Sequence, residues 1–148
     1  MMCITGPPGA GKTTVCRVLL SMGVSCASLN ELAREMGFVN GDEVDIDLLS
    51  CARLPYRFVE SHYSHLLPCS AVFILEVSED TLRRRMEERG YSEGKIEENL
   101  ETQRADIYFQ EALERLPATR IFRINAEGKD PDAVAGTILS IASRLAIT

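Results

Sequence analysis

The sequence predicts an α/β protein in which a five-stranded parallel sheet is flanked by helices on both faces. Three observations predict it. Short apolar runs alternate with helical patterns along the whole chain, the order that a parallel sheet with crossover helices requires. One run, Ala71 to Val77, is almost wholly apolar, as suits a central strand covered on both sides. The 148 residues, 45% apolar and 26% charged, suffice for one domain whose core needs no metal or cross-link.

Each element has a local reason. Met2 to Thr5 is a short apolar strand that runs into glycines. From Lys12 the apolar positions Val15, Val18, Leu19 and Met22 recur at helical spacing, and Gly23 supplies the stop. Val24 to Ser28 reads as a second strand. Ser28 with Glu31 makes a capping-box pattern for a short helix through Leu32, Ala33 and Met36, which Gly37 closes. Phe38 to Asp47 holds Asn40, Gly41 and four acids, and reads as a loop. A further short helix through Leu48, Leu49 and Ala52 ends near Pro55, and Tyr56 to Glu60 follows as the third strand.

After the fourth strand, Ser78 caps a helix whose first turn carries Glu79 and Asp80, as the helix dipole favours. That helix runs through Leu82 and Met86 to Gly90. Gly94 precedes a long helix from Lys95 to about Leu116, which Pro117 ends. Arg120 to Asn125 is the fifth strand, and Ala133 to Leu145 forms a final amphipathic helix.

Composition excludes several function classes. No run of about 18 apolar residues exists, so a membrane span is not expected. A glycine-rich motif from Gly6 leaves no room for an apolar targeting region, so no signal peptide is expected either. The net charge of −6 argues against duplex DNA as a direct partner, although 13 of the 16 basic residues are arginines, which suit local phosphate contacts. Five cysteines (Cys3, Cys16, Cys26, Cys51 and Cys69) show no metal-knuckle spacing. They are expected to be free, in a reducing, intracellular and cytoplasmic setting, rather than a disulfide framework.

The chemistry concentrates in three places. Gly6-Pro7-Pro8-Gly9-Ala10-Gly11-Lys12-Thr13-Thr14 fits G-x-x-x-x-G-K-[ST] between a strand and a helix, the context of a phosphate-binding loop. Glycines let successive backbone N–H groups turn inward on a phosphate, and the helix N-terminus adds a favourable dipole. Lys12 is expected to reach the β/γ-phosphates, and the Thr13 hydroxyl to bind Mg²⁺. Glu60-Ser61-His62 ends the third strand. Glu60 is expected to serve Mg²⁺ there, or else a surface salt bridge. His62 is expected to orient a water or a phosphoryl acceptor, or else to sit satisfied in the core. His65 is expected to be structural.

The third place is Arg83-Arg84-Arg85-Met86-Glu87-Glu88-Arg89-Gly90-Tyr91. Arg85 and Arg89 share a helical face, and Arg89, at the glycine break, is expected to neutralise charge on a transferring phosphoryl group. Arg83 and Arg84 read as a solvated charged face, with Arg84–Glu88 as an ion pair. Gln103 and Arg104 interrupt the apolar stripe of Ile96, Leu100 and Ile107, which suits either a ligand-facing position or a helix leaving its neighbour. Arg34, ending the second helix, suits an acceptor phosphate or the helix dipole.

These residues give the chain a resemblance to the adenylate kinase isoenzyme 6 family, which takes in archaeal members and eukaryotic nuclear ATPases. It covers nearly the whole chain and rests on GPPGAGKTT, Leu32-Ala33-Arg34-Glu35, Glu60-Ser61-His62, and Arg89-Gly90-Tyr91 followed by Lys95-Ile96 and Glu98-Asn99-Leu100. The resemblance implies a three-layer P-loop NTPase fold in a single domain, 1–148, with a monophosphate-binding insertion at about 28–52 and a lid at about 88–98. It implies ATP contacts from Gly9, Gly11, Lys12, Thr13, Thr14, Arg89 and Lys129. It further implies phosphoryl transfer from Mg²⁺-ATP to AMP or another nucleoside monophosphate, together with ATP hydrolysis.

In that family the ATPase is tied to maturation of the small ribosomal subunit and its RNA through ribosomal protein uS11, with a nuclear location in eukaryotes. An assembly ATPase with incidental kinase activity is therefore the second expectation. A GTPase switch is disfavoured, because no N-K-x-D signature occurs. Three departures from the family pattern stand out: a segment between Glu35 and Glu60 about ten residues short, Glu60 where some members carry Asp, and Gln103 where Glu is expected.

Overall fold

A computed structural model describes residues 1–147. In chain order its elements are β1 (Met2–Thr5), α1 (Lys12–Ser21), β2 (Cys26–Ser28), α2 (Leu29–Met36), β3 (Val39–Asn40), β4 (Glu43–Val44), α3 (Ile46–Cys51), β5 (Phe58–Glu60), β6 (Val72–Glu76), α4 (Glu79–Glu88), α5 (Glu93–Arg104), α6 (Ile107–Leu113), β7 (Ile121–Asn125) and α7 (Pro131–Ile147). The five-stranded sheet is parallel throughout, in the order β2-β5-β1-β6-β7. The chain steps from β1 to one edge, returns to β5, then crosses β1 to β6. That reversal puts a crevice at the carboxyl ends of β1 and β5, where parallel sheets take their ligands.

Residue alternation builds the three layers. Ile4, Phe73 and Leu75 face one buried cluster with Val15 and Leu19 of α1, Leu82 and Met86 of α4, and Ile138 of α7. Their neighbours Cys3, Val72 and Ile74 face the other, with Leu29 and Leu32 of α2, Leu49 of α3 and Tyr108 of α6. Strands buried on both faces carry continuous apolar runs, which is why β6 was readable at all. Among the described residues no helix is long and apolar enough to cross a membrane.

Four expectations need correction. The loop through 38–47 contains a two-stranded hairpin, with Val39 opposite Val44 and Asn40 opposite Glu43; its strands are two residues long, too short for any period-2 pattern. The long helix from Lys95 to Leu116 is two helices. Asp106 breaks it at φ 55°, and its carboxylate takes both Nη atoms of Arg123 at 2.8 and 2.5 Å. A pair 17 residues apart overrides local helix propensity there.

The capping box at Ser28 does not form: Ser28 is the N-cap of α2, but its side chain makes no capping bond and serves Glu60 instead. The cysteines are not all free. Cys3 is bonded to Cys69 and Cys16 to Cys26, with Cα atoms 6.0 and 5.5 Å apart, and Cys51 is left as the free, exposed thiol. Both pairs join residues that the sheet and its flanking helix bring together, so spacing in the sequence carried no signal. Cysteine usage accordingly no longer argues for a reducing compartment.

Candidate active site

The turn from β1 into α1 is held by close backbone approach. A Cβ on Gly6, at φ 142°, would sit 2.8 Å from the Leu75 carbonyl oxygen on the neighbouring strand. Gly9 lies under α4: a Cβ there would meet Arg85 Cβ at 3.3 Å, and its carbonyl accepts a bond from Arg85 Nη1 at 2.6 Å. Lys12 folds over this loop and donates to the carbonyls of Gly6 and Pro7, both at 2.8 Å. Burial, with Arg89 nearby, lowers its pKa to about 8, although Glu60 works the other way. The lysine is therefore a cation held where charge is costly, poised to gain from an anionic ligand.

Glu60 ends β5 directly beside Ile4 of β1, and is only 4% exposed. Its Oε2 accepts from the Thr13 hydroxyl at 3.0 Å. Burial raises its pKa, while Thr13, Lys12 and Ser28 favour the charged form. Two hard oxygens side by side at the root of a phosphate-binding loop are the donor type that Mg²⁺ takes.

Thr13 and Glu60 line a cavity of about 270 Å³ with Ser28 and Glu31 among others, and residues flanking the centre line two more. The first of these two, of about 210 Å³, is lined by Gly9, Gly11, Thr14, Arg85, Arg89 and Lys129 among others, which brings five of the seven expected nucleotide-contacting residues to one space, without Lys12 and Thr13. The other, of about 520 Å³, is lined by Asn30, Arg34, Val39, Val44, His62 and Tyr63 among others. Its roof is the β3–β4 hairpin and its floor holds Tyr63, whose hydroxyl donates to Asn30 Oδ1 at 2.8 Å. Lys12 stands electrically between them: Arg89 of the first cavity acts on it, and its own charge reaches His62 of the second. The His62 ring lies edge-on to Tyr63, with one side open to solvent, and burial together with Lys12 pushes its pKa below the usual imidazole value.

The chain is similar to named proteins over most of its length. The chain is 53% identical over 127 residues to a protein of Thermoplasma acidophilum named "Putative adenylate kinase", covering 84% of this chain and 86% of that one. A protein of the same name from Thermoplasma volcanium is 51% identical over 145 residues, covering 96% and 94%. The chain belongs to this adenylate kinase family. A family profile described as "AAA domain" matches residues 46–106. Among solved structures, a shikimate kinase from Acinetobacter baumannii, in complex with shikimate, superposes with a TM-score of 0.69 at 16% identity over 99% of this chain and 94% of that one. That likeness establishes the P-loop kinase fold expected from the sequence.

The segments that carry the family resemblance have physical tasks in the fold. Tyr91 packs against the core beside α4, Lys95 lies over its ring at 5.3 Å, and Ile96 and Leu100 are buried. Asn99 caps the Lys95 carbonyl at 2.8 Å. Gln103 faces inward and donates to the Val77 carbonyl at 3.2 Å, a contact that a glutamate in its place would turn into repulsion. Arg104 fits neither expectation: it is exposed and pairs with Glu97 of its own helix and Glu79 of α4, so it ties the helix to its neighbour. Arg83 likewise binds Glu93 and Glu97 rather than a ligand.

Sequence reasoning passed over Asn30 and Tyr63, and placed Arg85 on the Arg89 face without assigning it a task. Arg85 had a usable signal: it stands three residues after buried Leu82 and next to buried Met86, on the side of α4 that turns inward. Asn30 and Tyr63 had none, because the hairpin that closes their cavity was not legible.

Proposed function

We propose that the protein is an ATP-dependent nucleoside monophosphate kinase of the adenylate kinase type, with ATP hydrolysis as a side reaction. The observation that carries this reading is a pair of cavities that each hold a residue coupled electrostatically to Lys12: one lined by the phosphate-binding loop with Arg85 and Arg89, the other by Arg34 and His62. A hydrolase needs only the first. The second, at about 520 Å³, has the size of a small-molecule site. The names of the Thermoplasma relatives point the same way.

Residue by residue, loop amides together with Thr14, Arg89 and Lys129 would bind the donor nucleotide. Lys12 would hold the β/γ-phosphates. Arg89 would close over the transferring group, and Arg85 would keep Gly9 in the curl that binds phosphate. Arg34 would receive the acceptor phosphate in the insertion at about 28–52, and His62 would orient an acceptor oxygen or a water. Thr13 and Glu60 fit Mg²⁺, which when bound neutralises charge on the polyphosphate. A lid at about 88–98 that projects so little beyond its helix ends excludes water poorly, which favours hydrolysis.

ADP formation measured with and without AMP, CMP, GMP and UMP tests the reading. Transfer to at least one of them, plus slower acceptor-independent ADP release, is expected. No transfer to any would overturn the kinase, and strictly acceptor-dependent turnover would overturn the side reaction. His62→Ala separates the two tasks: lost hydrolysis with retained transfer assigns His62 to water, and the reverse to the acceptor. The short segment between Glu35 and Glu60 favours the second reading, an assembly ATPase acting in the cytoplasm on the pre-small-subunit. State-dependent capture of ribosomal protein uS11 in ATP but not ADP would support it.

A further inference from the structure

The residues proposed for transfer sit on two chain segments that leave the ends of the paired strands β1 and β5. Glu60 and His62 lie on the turn after β5, and Lys12 and Thr13 on the loop and helix after β1. Beyond the β1–β5 ladder, which ends with Ile4 beside Glu60, and the Thr13–Glu60 bond, the join between them is a strap of buried polar groups. Ser61 N–H donates to the Ile4 carbonyl at 3.2 Å, and the Ser64 hydroxyl donates to the same carbonyl at 2.7 Å. One residue on, Thr5 Oγ1 lies 2.8 Å from His65 Nδ1, and His65 Nε2 lies 3.0 Å from Glu111 Oε1 on α6. Thr5 is the last residue before Gly6. It is fully buried, and His65 is 2% exposed.

Chemistry assigns the direction of this chain. Burial lowers the His65 pKa, so the ring is neutral and carries one proton. The Glu111 carboxylate accepts, so that proton sits on Nε2. Nδ1 is then an acceptor, and the Thr5 hydroxyl must donate to it. Both ring nitrogens are satisfied, and the ring plane is set further by its edge-on contact with Tyr108, 5.5 Å between centroids. Apolar side chains would fill this space without any desolvation cost. A satisfied polar chain here instead fixes one relative placement of β1, the turn after β5 and α6.

We infer that His65 is a positioning residue for phosphoryl transfer: through Thr5 it keeps the turn bearing Glu60 and His62 in register with the phosphate-binding loop. This rests on the kinase reading above. A shift of about 1 Å between reacting groups costs on the order of a hundredfold in rate. Loss of one bond in a strap of several gives a smaller shift. ATP affinity depends on the local curl of the loop amides and is expected to persist.

The test is steady-state transfer by wild type, Thr5→Val, His65→Asn, His65→Gln and the Thr5→Val/His65→Gln double variant, with ADP affinity by calorimetry for each. Asn reproduces the Nδ1 position and Gln the Nε2 position. Thr5→Val and His65→Gln should each lower kcat about tenfold, with KM for both substrates and ADP affinity within about twofold. The double variant should be no worse than either single one, as two ends of one bond require. His65→Asn should recover most of the rate. Full kcat in Thr5→Val, or equal losses in the Asn and Gln variants, would overturn the inference while leaving the kinase reading intact. A wild type inactive toward every acceptor would overturn both.

Discussion

Lys12 carries a charge that its surroundings disfavour, and the consequence is measurable in two ways. With its pKa near 8 in the free protein, Lys12 loses its proton as pH rises through that value, so kcat/KM should fall with an alkaline limb near pH 8. Bound polyphosphate favours the charged form, so the limb of kcat should lie higher. The acid limb should lie above the ordinary carboxylate range where Glu60 sets it, because burial raises that carboxyl, and below the ordinary imidazole value where His62 sets it, because burial and Lys12 lower that ring. A kcat/KM flat from pH 7 to 10 would contradict this.

The same lysine taxes stability. Below pH 8 both folded and unfolded states hold the proton, and the folded state bears the full cost, at most about 3 kcal/mol. Between about pH 8 and 10.5 the folded lysine is neutral while the unfolded one is not, so the cost fades. Lys12→Met should abolish transfer yet be more stable than wild type in urea at pH 7. That advantage should shrink at pH 10, and an equal or growing advantage there would refute the assignment.

Among the elements, α4 and α5 are strapped together by charge. Glu97 of α5 is shared, binding Arg83 through Oε2 at 3.2 Å and Arg104 through Oε1 at 2.8 Å, while Arg104 also grips Glu79 at the start of α4. These pairs are exposed, so they contribute little to stability and are screened by salt. Their role at this scale is geometric, since they keep the two helices beside the Arg89–Ser92 connection in one arrangement. Glu97→Gln should raise acceptor-independent ADP release relative to transfer, with Tm nearly unchanged. Wild type in about 1 M salt should shift the same way. An unaltered ratio under both conditions would show that the network does not govern closure.

For the whole molecule, the decisive features are the sheet order and the two cross-links. Cys3–Cys69 ties the central strand β1 to the segment entering β6 across 66 residues, and Cys16–Cys26 ties α1 to β2 across 10. Cross-links of such spans stabilise by about 2–4 kcal/mol each. Thiol titration in denaturant should count one thiol per chain before reduction and five after, with a clear fall in Tm on reduction. Five reactive thiols in unreduced protein would restore the free-cysteine expectation.

The sequence by itself determined what depends on near neighbours. Gly6 to Thr14 spells a loop whose glycines permit the curl that the neighbouring strand and helix then hold, and the apolar run through β6 and the stripes of α1 and α4 declare their periods within a few turns. Lys12, Thr13 and Glu60 were legible for that reason, as motif and strand end. Tertiary structure alone decided what depends on residues distant along the chain. It put Arg85 on the Gly9 carbonyl, 76 residues away, and His65 on Thr5, 60 residues away. It broke the long helix at Asp106 to meet Arg123, and paired four cysteines that spacing could not pair. Such contacts form only after the sheet has brought its strands together, and their energies appear in no local window of sequence.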